Sequence, residues 1–135
     1  MHILLTDGTK LNHLGATSTS MYIQGATRDA ITFEFDSTHS VDELRNAFTE
    51  ANCETINIVT DSVVTLEDGT TEVVYTDNLW EGYVIRYEVA ERIKTLKDAT
   101  GTTPAETEPR VFVTMAQRTY TETQIANLMK MMDLV

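Results

Sequence analysis

The chain contains few of the residues that build disulfides or metal sites. Its single cysteine, Cys53, excludes an intramolecular disulfide and a cysteine-based zinc site. Its three histidines, His2, His13 and His39, lie in separate segments and lack the i, i+3 or i+4 spacing of metal ligands on a helix. We therefore expect surface or loop histidines, no metal site and no cofactor.

Basic residues are also scarce. Ten Lys+Arg face 21 Asp+Glu, which gives a formal net charge of −11. A surface this acidic repels phosphate groups, and no local cluster of Lys or Arg provides an exception. We expect neither nucleic acid nor an anionic membrane as a partner, and the acidity itself favours solubility.

Long apolar runs are absent as well. No segment approaches the length of a membrane span, and the first ten residues, MHILLTDGTK, lack the pattern of a signal peptide. The length of 135 residues suits one domain, residues 1–135, with a core of its own. We expect a chain that folds in a cytoplasm.

Motifs of catalysis are missing too. There is no Gly-x-Ser-x-Gly turn and no glycine-rich phosphate loop. Cys53 follows a predicted helix and lies between Glu50 and Glu54, an arrangement that disfavours a thiolate, so we expect a small buried hydrophobe. With 21 acidic residues, no pair of carboxylates can be identified as a catalytic pair without a pocket. The sequence therefore predicts no enzyme.

What the sequence does contain is a set of strands. Ile31, Phe33 and Phe35 alternate with polar residues, as do Val111, Val113 and Met115, which indicates strands with one buried face. Asp-Gly pairs at 7–8 and 68–69 predict hairpin turns. Further strands are expected at 2–14 (a hairpin), 21–23, 54–60, 63–66 and 73–75, with loops at 15–20, 76–81 and 98–109. Residues 82–97 fit a strand to about residue 94 better than a helix.

Two capping boxes predict helices. Ser40 and Glu43 begin one over 41–51, and Thr121 and Gln124 begin another over 121–135. The fold class is therefore α+β: a mostly antiparallel sheet of six to eight strands, one short internal helix and an amphipathic C-terminal helix.

The C-terminal helix carries the candidate contact residues. Its apolar positions recur at spacings of three and four, and two interpretations remain open: docking on the sheet, or contact with a partner or a second copy. The candidate contact residues are Ile125, Leu128, Met129, Met132 and Val135.

A polar cluster precedes this helix. Gln117, Arg118 and Tyr120 lie between a strand and a helix, where polar side chains commonly satisfy free backbone groups. Together with Thr121 and Gln124 they are expected to form a structural joint, with Tyr120 stapled to the helix near Ile125.

Three arginines decide whether an anion could bind. Arg28 is expected to form a structural ion pair. Only a convergence of Arg28 with Arg86 and Arg118 would favour an anionic ligand.

Several stretches resemble a family of small phage and prophage proteins of Gram-positive, often gut-dwelling bacteria, encoded among tail and late structural genes. They are LTDGT (5–9), QGATRD (24–29), ELRNAFTEANCETINI (43–58), EGYVIR (81–86) and VTMAQRTYTETQIANL (113–128), the last being the most distinctive. Relative to that family, 61–79 resembles an added hairpin.

The resemblance implies a virion or virion-assembly role and no catalytic residues. Partners would be other tail or virion proteins or a second copy, in the virion or in the host cytoplasm during assembly. The alternative is a small phage protein that binds a host protein or sequesters a ligand inside the cell.

Overall fold

The computed structural model describes residues 1–133 and confirms the α+β class. Eight strands form two antiparallel sheets of four, joined by one short internal helix and followed by a C-terminal helix. The elements are β1 (His2–Leu4), β2 (Lys10–Asn12), β3 (Gly15–Ile23), β4 (Ala26–Asp36), α1 (Val41–Ala47), β5 (Thr55–Thr65), β6 (Thr71–Glu81), β7 (Ile85–Lys97), β8 (Glu106–Ala116) and α2 (Tyr120–Asp133), with a 3-10 turn at Ala51–Cys53.

The two sheets share one hydrophobic core. The first has the strand order β2-β1-β5-β6 and the second β3-β4-β8-β7. Ile3 and Ile56 of the first sheet belong to the same buried cluster as Phe33, Phe35 and other residues of the second. The period-two pattern of β4 explains this arrangement, because it directs alternate side chains to one face.

Aromatic rings fill the centre of this core. Phe33, Phe35 and Phe48 are fully buried, and the ring of Phe48, just after α1, lies 5.8 Å from that of Phe33 and 6.0 Å from that of Phe35. Burying each such ring stabilises the fold by about 2–3 kcal/mol. The opposite face of β4 is polar, and the hydroxyls of Thr32 and Thr114 lie 2.9 Å apart across the sheet.

The helix α1 begins where its capping box predicts. The Ser40 side chain accepts a hydrogen bond from the Glu43 amide at 3.1 Å. The helix is shorter than predicted, ending at Ala47, where the Asn52 side-chain amide donates to the Ala47 carbonyl at 2.7 Å. A polar side chain thus satisfies one of the carbonyls that the helix end leaves free.

Two hairpin turns use the same local chemistry. In the pentapeptides 5–9 and 66–70, both of the form Leu-x-Asp-Gly-Thr, the Asp side chain accepts from the amide of the Thr two residues later. The glycines Gly8 and Gly69 have φ of +87° and +83°, while their Asp neighbours do not have positive φ. The turns are therefore single left-handed glycine turns and not pairs of positive-φ residues.

Several predicted loops are strands. Residues 15–20, expected as a loop, belong to β3, and residues 76–81, expected as a connector, belong to β6. The loop expected at 98–109 is shorter, since β8 begins at Glu106. The preferred strand at 82–97 is confirmed as β7.

The β5–β6 and β7–β8 hairpins extend beyond the core. Residues 61–79 are a hairpin, as expected, but it continues strands that begin in the core. From residue 61 to residue 79 every side chain is exposed. The far end of β7, residues 91–97, is exposed as well.

Candidate functional site: the strand–helix joint and the C-terminal helix

The joint between β8 and α2 is tied to three other parts of the fold. The Gln117 amide donates to the Asp29 carbonyl at 2.8 Å, and its side chain donates to the Glu81 carbonyl at 3.2 Å. The Arg118 amide donates to the Gly82 carbonyl at 3.1 Å. These bonds fix the point at which the chain leaves the second sheet.

The Arg118 side chain crosses to the segment after α1. It forms ion pairs with Glu50 and, at 3.5 Å, with Glu54. Gln117 and Arg118 therefore connect β8 to the β6–β7 turn and to the segment that precedes β5.

Arg28 is buried beneath the joint. Its side chain is 2% exposed and forms a two-point ion pair with Glu122, in which Nη2 lies 3.1 Å from Oε2. The same guanidinium donates to the carbonyls of Ile23 at 2.7 Å, Gln117 at 3.3 Å and Gln24 at 3.4 Å. The expected structural ion pair of Arg28 is thus present, and it joins the β3–β4 turn to α2.

The β3–β4 turn has an unusual backbone that serves this arrangement. Gln24 and Gly25 have φ of +50° and +80°, the geometry of a two-residue hairpin turn. Positive φ is uncommon for a residue with a side chain. It places the carbonyls of Ile23 and Gln24 where Arg28 binds both.

The capping box of α2 lies two residues earlier than predicted. The Glu122 amide donates to the Thr119 hydroxyl at 3.3 Å, and the Thr119 amide donates to Glu122 Oε1 at 3.0 Å. Thr121 and Gln124 are inside the helix and do not cap it. Arg28 and the Thr119 amide together lower the pKa of the Glu122 carboxyl to about 2.

Tyr120 does not form the expected staple. It is the first residue of α2 and is 79% exposed. Ile125, its expected partner, is also more than half exposed. The entry of the chain into α2 is fixed by the polar contacts of Thr119, Glu122 and Arg28 instead.

The apolar residues of α2 face solvent. Because these side chains are exposed, the interpretation in which α2 buries its apolar face on the sheet is contradicted for the residues that the structure describes. Val135 lies outside the described residues. The exposed apolar residues of α2, each more than half exposed, are Ile125, Leu128, Met129, Met131 and Met132.

Polar depressions flank the joint. The larger, about 530 Å³, lies between α2 and the β6–β7 turn and includes Glu54, Gln117 and Lys130 in its wall. A second, about 310 Å³, is lined by both Arg86 and Arg118. This depression is therefore the place to ask whether Arg28, Arg86 and Arg118 converge to bind an anion.

Arg86 and Arg118 line this depression together, but Arg28 is not among its lining residues. Arg86 donates to the carbonyls of Arg45 at 2.6 Å and Phe48 at 3.4 Å, at the end of α1. Arg118 and Arg28 pair with carboxylates, as described above. Arg118 thus has carboxylate partners, whereas Arg86 binds carbonyls and pairs with no carboxylate within residues 1–133. The three arginines connect separate elements of the fold and do not converge on one anion site.

His13 and Cys53 are buried, whereas His2 and His39 are partly exposed. His13, expected on the surface or in a loop, is 5% exposed and packs edge-on against Phe33 at 5.8 Å. Burial lowers its pKa to about 4. Cys53 is buried, as expected, and burial raises the pKa of its thiol to about 12.

Within residues 1–133 no group of three or more His, Cys, Asp or Glu side chains is arranged to hold a metal ion. Neither described helix is long and apolar enough to cross a membrane. Comparison of the chain with protein-family models, with curated proteins and with solved structures finds no match.

Proposed function

We propose that this chain is a non-enzymatic phage structural or tail-assembly protein that acts through protein–protein contacts. The observation that carries the proposal is the helix α2, which presents five large apolar side chains to solvent instead of to the sheets. An amphipathic helix normally buries such a face, and an apolar surface left open is typical of a contact site.

The joint supports the same proposal. The stretch 113–128, on which the resemblance to the phage family is most specific, contains Gln117, Arg118, Thr119 and Glu122. These residues fix the direction of α2 through ion pairs and hydrogen bonds. Arg28 holds α2 in one direction although the apolar face of the helix is not packed on a sheet. Such a fixed direction is what a helix needs if it binds a partner in a single geometry.

The proposed partners are other tail or virion proteins or a second copy, and the proposed location is the virion or the host cytoplasm during assembly. With a net charge of −11, free subunits would repel one another at long range and stay soluble until they assemble. Nucleic acid and membranes are not among the proposed partners.

The test is a binding assay with purified late structural proteins of the phage. Immobilised wild-type chain should retain one of them, and the double substitution Leu128→Ser and Met132→Ser should weaken that binding by about tenfold or more, since two anchors are lost. Tyr22→Ser, which removes a large and even more exposed side chain from β3, should bind as wild type does.

Equal binding by wild type and the double variant would refute the role of α2. Failure to bind any late structural protein, together with absence from purified particles, would refute the proposed function as a whole.

The alternative, a phage protein that blocks a host protein, is favoured by one observation. The β5–β6 hairpin is acidic and extends from the core, so it could present carboxylates to a basic host surface. Mass spectrometry of complexes isolated from the host would then find a host partner in fixed stoichiometry, and a clean negative would discount this alternative.

A further inference from the structure

The acidic residues of the chain are unevenly distributed. Residues 55–81, which form the β5–β6 hairpin, contain no Lys, Arg or His. Their six acidic residues therefore contribute −6 of the net −11. The six are Asp61, Glu67, Asp68, Glu72, Asp77 and Glu81.

The strand β7 has the opposite charge. It contains four basic residues against two acidic ones, a net charge of +2 in a chain that has only ten basic residues. The basic residues are Arg86, Arg92, Lys94 and Lys97, and the acidic ones are Glu88 and Glu91. Part of this charge is engaged within the chain, since Lys94 pairs with Glu34 at 2.8 Å and Arg92 pairs with Glu88.

Both charged strands lie at the edge of a sheet. β6 ends the order β2-β1-β5-β6 and pairs only with β5, and β7 ends the order β3-β4-β8-β7 and pairs only with β8, within the described residues. They are 11 and 13 residues long. Each therefore offers a long row of backbone donors and acceptors to another strand.

The usual protections of an edge are missing from β6, whereas β7 carries Lys94 and Lys97 and has two register shifts in its pairing with β8. β6 contains no proline and no lysine, and its exposed side chains include Val73, Tyr75 and Leu79. On β7 the exposed residues include Ile93 and Leu96. An open edge of this length with apolar side chains is suited to strand addition.

We propose that copies of this chain associate head to tail, with the acidic edge strand β6 of one copy pairing with the basic edge strand β7 of the next. Pairing of β6 with β6 would bring acids against acids, and pairing of β7 with β7 would bring bases against bases, whereas the mixed pairing joins opposite charges. A contact between two different surfaces is heterologous, so it generates a ring or a filament.

This inference rests on the proposed function in one respect, because it names a second copy as a partner of the assembly protein. It is carried by the edge strands and not by α2. The two proposals can therefore fail separately.

The experiment is a charge-swap mixing test on the full chain. One variant reverses the β6 edge (Glu72→Lys and Asp77→Lys), and the other reverses the β7 edge (Arg92→Glu and Lys97→Glu). Sedimentation velocity over a range of concentrations and salt measures association, and circular dichroism verifies that each variant is folded.

Wild type should associate with increasing concentration, and high salt should weaken the association because it screens the opposite charges. Each variant alone should associate about tenfold or more weakly, since both of its edges then carry the same sign. An equimolar mixture should regain the wild-type association, because each copy meets an edge of opposite charge.

A mixture no heavier than its separate components would overturn the inference, as would a wild-type chain that stays monomeric at high concentration. If the monomeric chain still binds late structural proteins, the inference fails while the proposed function stands. If the edges associate but the chain binds no late structural protein and is absent from particles, the proposed function fails instead.

Discussion

Acidification should destabilise this protein through one buried side chain, His13. The ring lies among Phe33 and Phe35, and neither of its nitrogens has a hydrogen-bond partner within the described residues. Burial lowers its pKa from 6.5 to about 4. The folded state therefore resists a proton that the unfolded chain binds readily.

The magnitude follows from proton linkage. The folded pKa lies below the unfolded one, so the stabilisation is complete above pH 6.5 and is lost as the pH falls towards 4. A difference of about 2.5 pKa units at 1.36 kcal/mol per unit gives a loss of about 3 kcal/mol. This is a large part of the roughly 5–15 kcal/mol typical of a domain.

The assay is urea denaturation at several pH values between 7 and 4. Wild type should lose about 3 kcal/mol more over this range than His13→Leu, in which the titrating group is absent. His39→Gln, which removes a histidine that contacts Glu43 near the surface, should follow wild type. An NMR titration of the His13 ring provides a second, direct reading of the folded pKa.

Identical pH dependence of wild type and His13→Leu would refute this reasoning. A measured pKa near 6.5 for the His13 ring would do the same, because it would mean that water or a partner group reaches the ring.

Three further predictions concern the joint and the core. Glu122→Gln leaves the buried Arg28 without its counter-charge and should lower the free energy of unfolding by about 2–3 kcal/mol in urea denaturation; an unchanged value would contradict the assigned pair. Thr119→Ala should destabilise the start of α2 by about 1 kcal/mol, and Thr121→Ala by only a few tenths of a kcal/mol, as measured by hydrogen exchange of the first amides of the helix. A larger effect of Thr121→Ala would instead support the capping box predicted at Thr121 and Gln124. The thiol of Cys53 should react with a thiol reagent only as fast as the protein unfolds, and fast labelling of the native chain would show that it is not buried.

Local signals predict the elements whose buried face is clear. The alternation of Ile31, Phe33 and Phe35 predicts β4 because that strand has one face in the core. The capping box at Ser40 and Glu43 predicts the start of α1 because all of its partners lie within one turn.

Strand segments that are exposed on both faces give no such signal. β3, with the sequence GATSTSMYI, is exposed on both faces over most of its length, so its composition resembles a loop. The end of β6, residues 76–81, is also mostly exposed, so its sequence predicts a connector. Backbone hydrogen bonds to neighbouring strands hold these segments in place, and such bonds leave no periodic pattern in the side chains.

The position of the joint depends on a contact between distant residues. Two overlapping capping boxes, 119–122 and 121–124, fit the sequence equally well. Arg28 is 94 residues from Glu122 and selects the first, because its buried guanidinium pairs with that carboxylate. The exposure of the apolar face of α2 could not be predicted from the sequence either. An amphipathic helix has the same residue pattern whether its apolar face is buried on a sheet or open to solvent.

The central claim, that this chain is a phage structural or assembly protein, is tested most directly by quantitative mass spectrometry of phage particles and of purified assembly intermediates. The account predicts the chain in one of these fractions at a fixed ratio to the late structural proteins, and loss of that ratio for the Leu128→Ser and Met132→Ser double variant. Its absence from both fractions, while it is abundant in free form in the host cytoplasm, would contradict the account.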